Sequence, residues 1–308
     1  MKVVVTGGAG FIGSHVSDAF LVRGDEVLVV DDLSSGSRDN LPEEATLAEF
    51  DIADAARVQR TFEDFRPDFV CHLAAQSSVT VSLADPERDF ASNVVGTFNV
   101  IRAATELQAR TAFASTGGAL YGEDAPIPTA ETHVPQPLSY YGAAKQAGEA
   151  YVATLQRFHG VAHVVLRLGN IYGPRQNPHG EAGVVAILSE RLLLGQPPVL
   201  YGHGTPTRDY VHVKDIARAF TMLADTEVAG TFNLGCGREV SVLEIFEGLQ
   251  RAASTKVEPR LEPLRPGELT RSAIDSSAAT STFGWSPEIP LDEGLQQTFS
   301  WYASERRR

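Results

Sequence analysis

Short apolar runs recur along the chain between longer stretches in which apolar positions return every three or four residues. The runs are Lys2-Val3-Val4-Val5, Glu26-Val27-Leu28-Val29-Val30, Phe69-Val70-Cys71-His72-Leu73, Thr111-Ala112-Phe113-Ala114-Ser115 and His163-Val164-Val165-Leu166-Arg167. Strands that are apolar on both faces need cover on both faces, so the pattern predicts a parallel sheet with helices on each side. Gly13 to Arg23, Ala55 to Phe65, Ala91 to Leu107 and Tyr140 to Phe158 read as the helices. The last two are long enough to offer a face to a second copy of the chain. The expected fold class is α/β, a doubly wound parallel sheet.

After Gly169 the pattern loosens into Gly173-Pro174, Pro197-Pro198 and Tyr201-Gly202-His203-Gly204-Thr205-Pro206, which predicts loops and a smaller C-terminal lobe. The division expected is 1–169 for the main domain and 170–308 for the lobe, with Val211 to Leu223 and Thr231 to Gly235 returning to the main sheet. A chain of 308 residues, 43% hydrophobic, suffices for one large domain carrying such a lobe. A net charge of -13 opposes binding to nucleic acid or an anionic membrane. Arg306-Arg307-Arg308 reads as a solvated tail. Cys71 and Cys236 lie far apart and read as buried spectators, with neither a disulfide nor a metal site. No run of about 18 apolar residues and no cleavable leader occurs, so a cytoplasmic location is expected.

Candidate chemistry begins directly after the first strand. Thr6-Gly7-Gly8-Ala9-Gly10-Phe11-Ile12-Gly13 is a glycine turn leading into a helix, where Gly7, Gly10 and Gly13 permit a tight turn and the amides at Phe11 and Ile12 can face a pyrophosphate. Asp31, with Asp32 beside it, ends the second strand, where a carboxylate can accept from ribose hydroxyls. This is the pattern of a Rossmann dinucleotide site. A carboxylate at Asp31 repels the extra phosphate of NADP and so favours NAD, although Arg38 just beyond leaves NADP open. Asp51-Ile52 either flanks the adenine or has Asp51 capping the next helix.

Tyr141-Gly142-Ala143-Ala144-Lys145 sets a phenol and an ammonium four residues apart on one helix face. A cation near a phenol favours the phenolate, so Tyr141 is the candidate base and Lys145 its partner, also placed to hold the nicotinamide ribose. Tyr210 and Lys214 share the spacing, but their segment alternates as a strand does. Four residues then span roughly 13 Å, too far for coupling.

These residues resemble the extended short-chain dehydrogenase/reductase family, in its UDP-glucose/UDP-galactose 4-epimerase-like branch. The resemblance covers nearly the whole chain and rests on TGGAGFIGSH, HLAA at 72–75, Asn93 in NVVGT, YGAAK, LRLGNIYGPRQ, TRDYVHVKDIARA and RPGE. It implies an NAD-dependent enzyme acting on a UDP-sugar, with Leu73, Ala74, Ala75 and Asn93 lining the NAD groove, while the two long helices suggest a homodimer. It further implies sugar-nucleotide contacts from Asn170, Arg208, Arg265 and Glu268, where arginines suit a diphosphate. A hydroxyl that assists the tyrosine in the family falls on Gly117 in Ser115-Thr116-Gly117-Gly118, so Thr116 is the candidate substitute. The segment also lacks the Asp-Glu pair of the family's 4,6-dehydratases. Ser272 matches a position that limits pocket size, and Arg271 is a candidate receiver for a uronate carboxylate. Net oxidoreduction, decarboxylation and non-catalytic NAD sensing are the competing readings.

Overall fold

The computed structural model describes residues 1–179, 183–265 and 269–306. The first half alternates as expected: β1 (Lys2–Thr6), α1 (Phe11–Val22), β2 (Glu26–Asp31), β3 (Thr46–Glu49), α2 (Ala55–Phe65) and β4 (Phe69–His72). Two short helices follow, α3 (Val79–Ala84) and α4 (Pro86–Phe90). Next come a π-helical turn (Ala91–Gly96), α5 (Thr97–Glu106), β5 (Arg110–Thr116), α6 (Tyr140–His159) and β6 (Val164–Leu168). The predicted helix from Ala91 to Leu107 is thus a π turn running into α5. Such turns gather at functional sites.

Seven parallel strands form the sheet in the order β11-β6-β5-β4-β1-β2-β3, where β11 is Gly230–Leu234. Side chains alternate across it. Val3 and Val5 pack with Val16 and Phe20 of α1 and with Ile216 and Phe220 of a later helix. Val4 packs with Val58 and Phe62 of α2 and Val100 of α5, while Phe113 and Val165 meet Val152 of α6. Strand order reverses beside β1, the crevice where open α/β sheets take ligands.

The second half holds β7 (Asn170–Tyr172), α7 (Val184–Leu193), β8 (Val199–Tyr201), β9 (Thr207–Arg208), β10 (Tyr210–His212), α8 (Val213–Ala224), β12 (Val240–Ser241), α9 (Val242–Ala253), β13 (Arg260–Glu262), α10 (Ser277–Phe283) and α11 (Leu291–Glu305). Its own core joins Val185, Leu188, Leu200, Ile245, Phe246 and Leu295. Of the segment expected back in the main sheet, Val211 pairs instead with Ile171 in a separate two-stranded sheet, and α8 covers the main sheet beside α1. Lys214 already lies on α8, and Tyr210 is buried in the second core. Cys71 is buried, but Cys236 is exposed, because the chain leaves the sheet after β11. Of the terminal arginines, Arg306 is exposed, while Arg307 and Arg308 lie outside the described residues. Among the described residues, no helix is long and apolar enough to cross a membrane.

A buried ion pair ties α6 to the sheet. Arg167 on β6 donates to both Glu149 oxygens, at 3.0 Å from Nε and 2.6 Å from Nη2, and the Ser115 hydroxyl donates to Glu149 Oε1 at 2.5 Å. Arg167 also donates to the Tyr121 hydroxyl at 2.9 Å, which donates to Asn233 Oδ1 at 2.7 Å. At the edge strand β11, the Asn233 amide donates to the Glu131 carboxylate and the Gly235 amide to the Ser276 hydroxyl. Removing one partner of a buried pair strands the other charge. Glu149→Ala should therefore lower stability by about 3 kcal/mol or more, read from urea unfolding.

Candidate active site

The glycine turn is a cradle that side chains would fill. Gly7 sits at φ +71°, and a Cβ there would lie 2.6 Å from the Ala74 amide nitrogen. At Gly13 a Cβ would lie 2.1 Å from the Gly7 carbonyl oxygen, whereas at Gly10 it would meet only that oxygen, at 3.2 Å. The turn is thus closed inward and open on the side of Gly10. No side chain caps α1, so its first amides, at Phe11 and Ile12, remain available to an anion. Asp31, 6% exposed, accepts from the Ala9 amide at 2.9 Å and the Leu33 amide at 2.8 Å. A carboxylate has about four acceptor positions, so capacity for a ribose remains. Burial raises its pKa. These features fit a dinucleotide.

Neighbouring candidates separate into groups. Asp32 is exposed and turned into its own loop, accepting from the Ser34 amide and hydroxyl. Arg38 is paired with Glu49, which removes it as a ready receiver for a second phosphate. Asp51 is exposed and accepts from Ala53, while Asp54 caps α2, so the capping alternative for Asp51 does not hold. Ile52 is buried beneath Gly96. Leu73, Ala74 and Ala75 are half-buried in the loop against Gly7. Asn93 has no accessible surface: it accepts from the Gln76 amide at 2.9 Å and donates to the Gln76 carbonyl at 2.8 Å and to Asp89 at 2.9 Å. These bonds hold the 73–76 loop in place behind the glycine turn.

On α6, Tyr141 is half-buried and Lys145 is 2% exposed. The Lys145 ammonium donates to the Ala114 carbonyl at 2.9 Å and lies over the Phe113 ring, 4.9 Å from its centre. Burial pulls Lys145 down to about 8, opposed by the charges of Asp89 and Glu149. Desolvation pushes the Tyr141 phenol up to about 12, with a hydrogen-bonding approach by Thr116 lowering it and Asp89 raising it. The sequence had Lys145 making this phenol acidic. In the structure desolvation dominates, and the lysine is directed at the strand backbone. Thr116, at the end of β5, lies within hydrogen-bonding reach of the phenol and also accepts from the Ala119 amide. At Gly117 a Cβ would lie 2.7 Å from Ile274 Cδ1, so a side chain there requires that isoleucine to move.

Across the site, Gly117, Gly118, Tyr121, Leu269, Arg271 and Ser272 bound a small cavity. Asn170 borders it, its Oδ1 lying 3.4 Å from where a Gly118 Cβ would be. Arg271 donates to both Glu239 oxygens, at 2.8 and 2.5 Å, which counts against its receiving a uronate. Arg208 on β9 donates to the Thr207 carbonyl, and Arg265 stacks on the Tyr201 ring at 3.8 Å. Glu268 lies outside the described residues. Asp89, Gln76 and Glu149 escaped the sequence reading. Glu149 had a signal, because Tyr141, Lys145 and Glu149 recur every four residues on one helix face.

Comparison with known proteins places these features in a family. Residues 3–235 match the model of the NAD dependent epimerase/dehydratase family. The chain is 40% identical over 311 residues to the UDP-glucose 4-epimerase of Mycolicibacterium smegmatis, covering 99% of each protein. The crystal structure of a UDP-glucose 4-epimerase from Thermotoga maritima with UDP-glucose superposes with a TM-score of 0.96 at 41% identity, over 99% of this chain and 100% of that one. A Thermus thermophilus UDP-glucose 4-epimerase in complex with NAD gives 0.91 at 42% identity, over 98% and 99%.

The cradle sets a test. Gly13→Ala forces the turn apart by strain of about 1–3 kcal/mol, so NAD affinity should fall about tenfold or more, measured by calorimetry.

Proposed function

Because the chain belongs to the NAD dependent epimerase/dehydratase family, we propose that it interconverts UDP-hexoses at C4 through a 4-keto sugar, with NAD as its resident cofactor. The observation that carries this reading is the hydrogen-bonding approach of Thr116 to Tyr141, one helical turn from the buried Lys145. NAD, when bound, accepts a hydride from the sugar and returns it.

The protein's own residues handle the proton and the geometry. Tyr141 Oη takes the proton of the sugar 4-hydroxyl and later returns one to the carbonyl oxygen. Thr116 donates toward that phenol oxygen and steadies its charge. Lys145, held by Ala114, keeps a positive charge near the reacting groups. Arg208 and Arg265 grip the diphosphate and Asn170 meets the sugar side, so the hexose turns about a fixed anchor. Ser272, facing Gly117 and Gly118 across the cavity, leaves room for a bulkier substituent such as N-acetyl.

A homodimer is part of the proposal. Leu83, Phe90, Val95 and Tyr151 are exposed on α3, α4, the π turn and α6, and the Tyr151 ring packs against Phe98 of α5 at 5.2 Å. Side chains of this size left in water on one helical layer mark an association surface. Sedimentation should give a dimer, and Phe90→Glu should shift it to monomer.

The activity has a direct measurement. Purified protein given UDP-galactose without added NAD should form UDP-glucose with no accumulation of NADH and no release of carbon dioxide. Tyr141→Phe should lower kcat roughly 10²- to 10⁴-fold with little change in KM. Turnover unaffected by that change would sink the assignment of the base.

A further inference from the structure

One buried charge beside the Tyr141–Lys145 pair takes no part in the proposed epimerisation steps, and a role for it rests on that activity. Asp89 sits near the end of α4, 1% exposed, and α4 packs against α6. A carboxylate taken out of water persists only where its oxygens are served. Asp89 Oδ1 accepts from Gln76 Nε2 and Asn93 Nδ2, both at 2.9 Å. Burial raises the pKa of this carboxyl group, while the donors Gln76 and Asn93 and the Lys145 charge favour its ionised form. Gln76 and Asn93 form the clasp that closes the Leu73–Gln76 loop against the glycine turn. One side chain therefore touches the wall of the dinucleotide groove and faces the helix that carries the base.

We propose that Asp89 is a positioning residue whose buried negative charge holds the Gln76–Asn93 clasp and balances the Tyr141–Lys145 pair during proton transfer. The surrounding groups are few. On α6 they are Tyr141 and Lys145, with Glu149 one turn beyond. At the end of β4 is His72, held neutral because burial takes it to about 3. Glu87 and Arg88 on α4 are exposed, as is Asp85 at its N-cap. Neither α3, the loop 73–78 nor the π turn carries a titratable residue.

The sign of the effect comes from the charge. A carboxylate favours the Lys145 ammonium and disfavours the Tyr141 phenolate, so it raises the pKa of both. It keeps the lysine charged against its burial, and it makes the tyrosinate a stronger base for the sugar hydroxyl. Neutralising Asp89 lets the phenol ionise, and the lysine lose its proton, at lower pH. Both limbs of the kcat–pH bell then move toward acid by about half a pH unit or more. Loss of the clasp alone would lower kcat with both limbs in place.

The test uses NAD-loaded protein carrying Asp89→Asn or Asp89→Glu, with kcat for UDP-galactose followed across pH. A second readout is ultraviolet difference titration of the Tyr141 phenol, with Tyr141→Phe as the blank. Asp89→Asn should move both limbs and the phenol titration toward acid. Asp89→Glu should leave them in place, as should Glu87→Gln on the exposed side of the same helix. Should Asp89→Asn fail to fold, Asp89→Ser provides the neutral variant. Native limb positions in a folded neutral variant would overturn the proposal, as would failure of both neutral variants to fold while Asp89→Glu is native-like. Absence of epimerisation in the unaltered protein would instead count against the functional reading, and the phenol titration would still report on Asp89.

Discussion

Burying an ammonium beside a phenol is the constraint on which the rest of the site depends. Lys145 has almost no contact with water, and such a charge is tolerated only with partners close by. The Ala114 carbonyl, the Phe113 ring and the carboxylates of Asp89 and Glu149 supply them. Each partner needs its own support: Arg167 and Ser115 for Glu149, Gln76 and Asn93 for Asp89. A polar scaffold thus spreads from one side chain into β5, β6, α4 and the loop that borders the glycine turn. Since a partly satisfied buried network is costly, these residues are coupled, and a change at one is felt at the others.

The sheet and its helices were legible because their signals are local. Val3, Val4 and Val5 announce a strand covered on both sides, and both sides are covered. The glycine turn and Asp31 were legible because they occupy fixed offsets from β1 and β2. Tyr141 and Lys145 were found through helical spacing. Their proton affinities were not, because those depend on burial and on Asp89, which lies some fifty residues upstream. In sequence, Pro86-Glu87-Arg88-Asp89 looks like a solvated turn of helix; nothing local says that its last carboxylate faces inward.

The C-terminal lobe was harder for the same reason. Its strands are two or three residues long, and each pairs with a segment distant in the chain, such as Val240 with Arg208 or Leu261 with Leu200. A three-residue strand has too few positions to show alternation. Arg271 looked free to meet a ligand until folding brought Glu239 against it. The full burial of Asn93 and its bonds to Gln76 had no signal in the sequence either, because that partner meets it only through folding.

The border of the sheet at β11 carries a consequence for how copies of the protein can meet. An unpaired outer strand usually invites a strand from a neighbouring molecule, the route to runaway polymers. Here the amides of Asn233 and Gly235 are already taken by Glu131 and Ser276 of the same chain. A foreign strand arriving there would have to displace these intramolecular acceptors before its own carbonyls could take their place. Growth by strand addition is thereby discouraged on that flank, and contact between copies is steered toward helices, where partners can be finite in number.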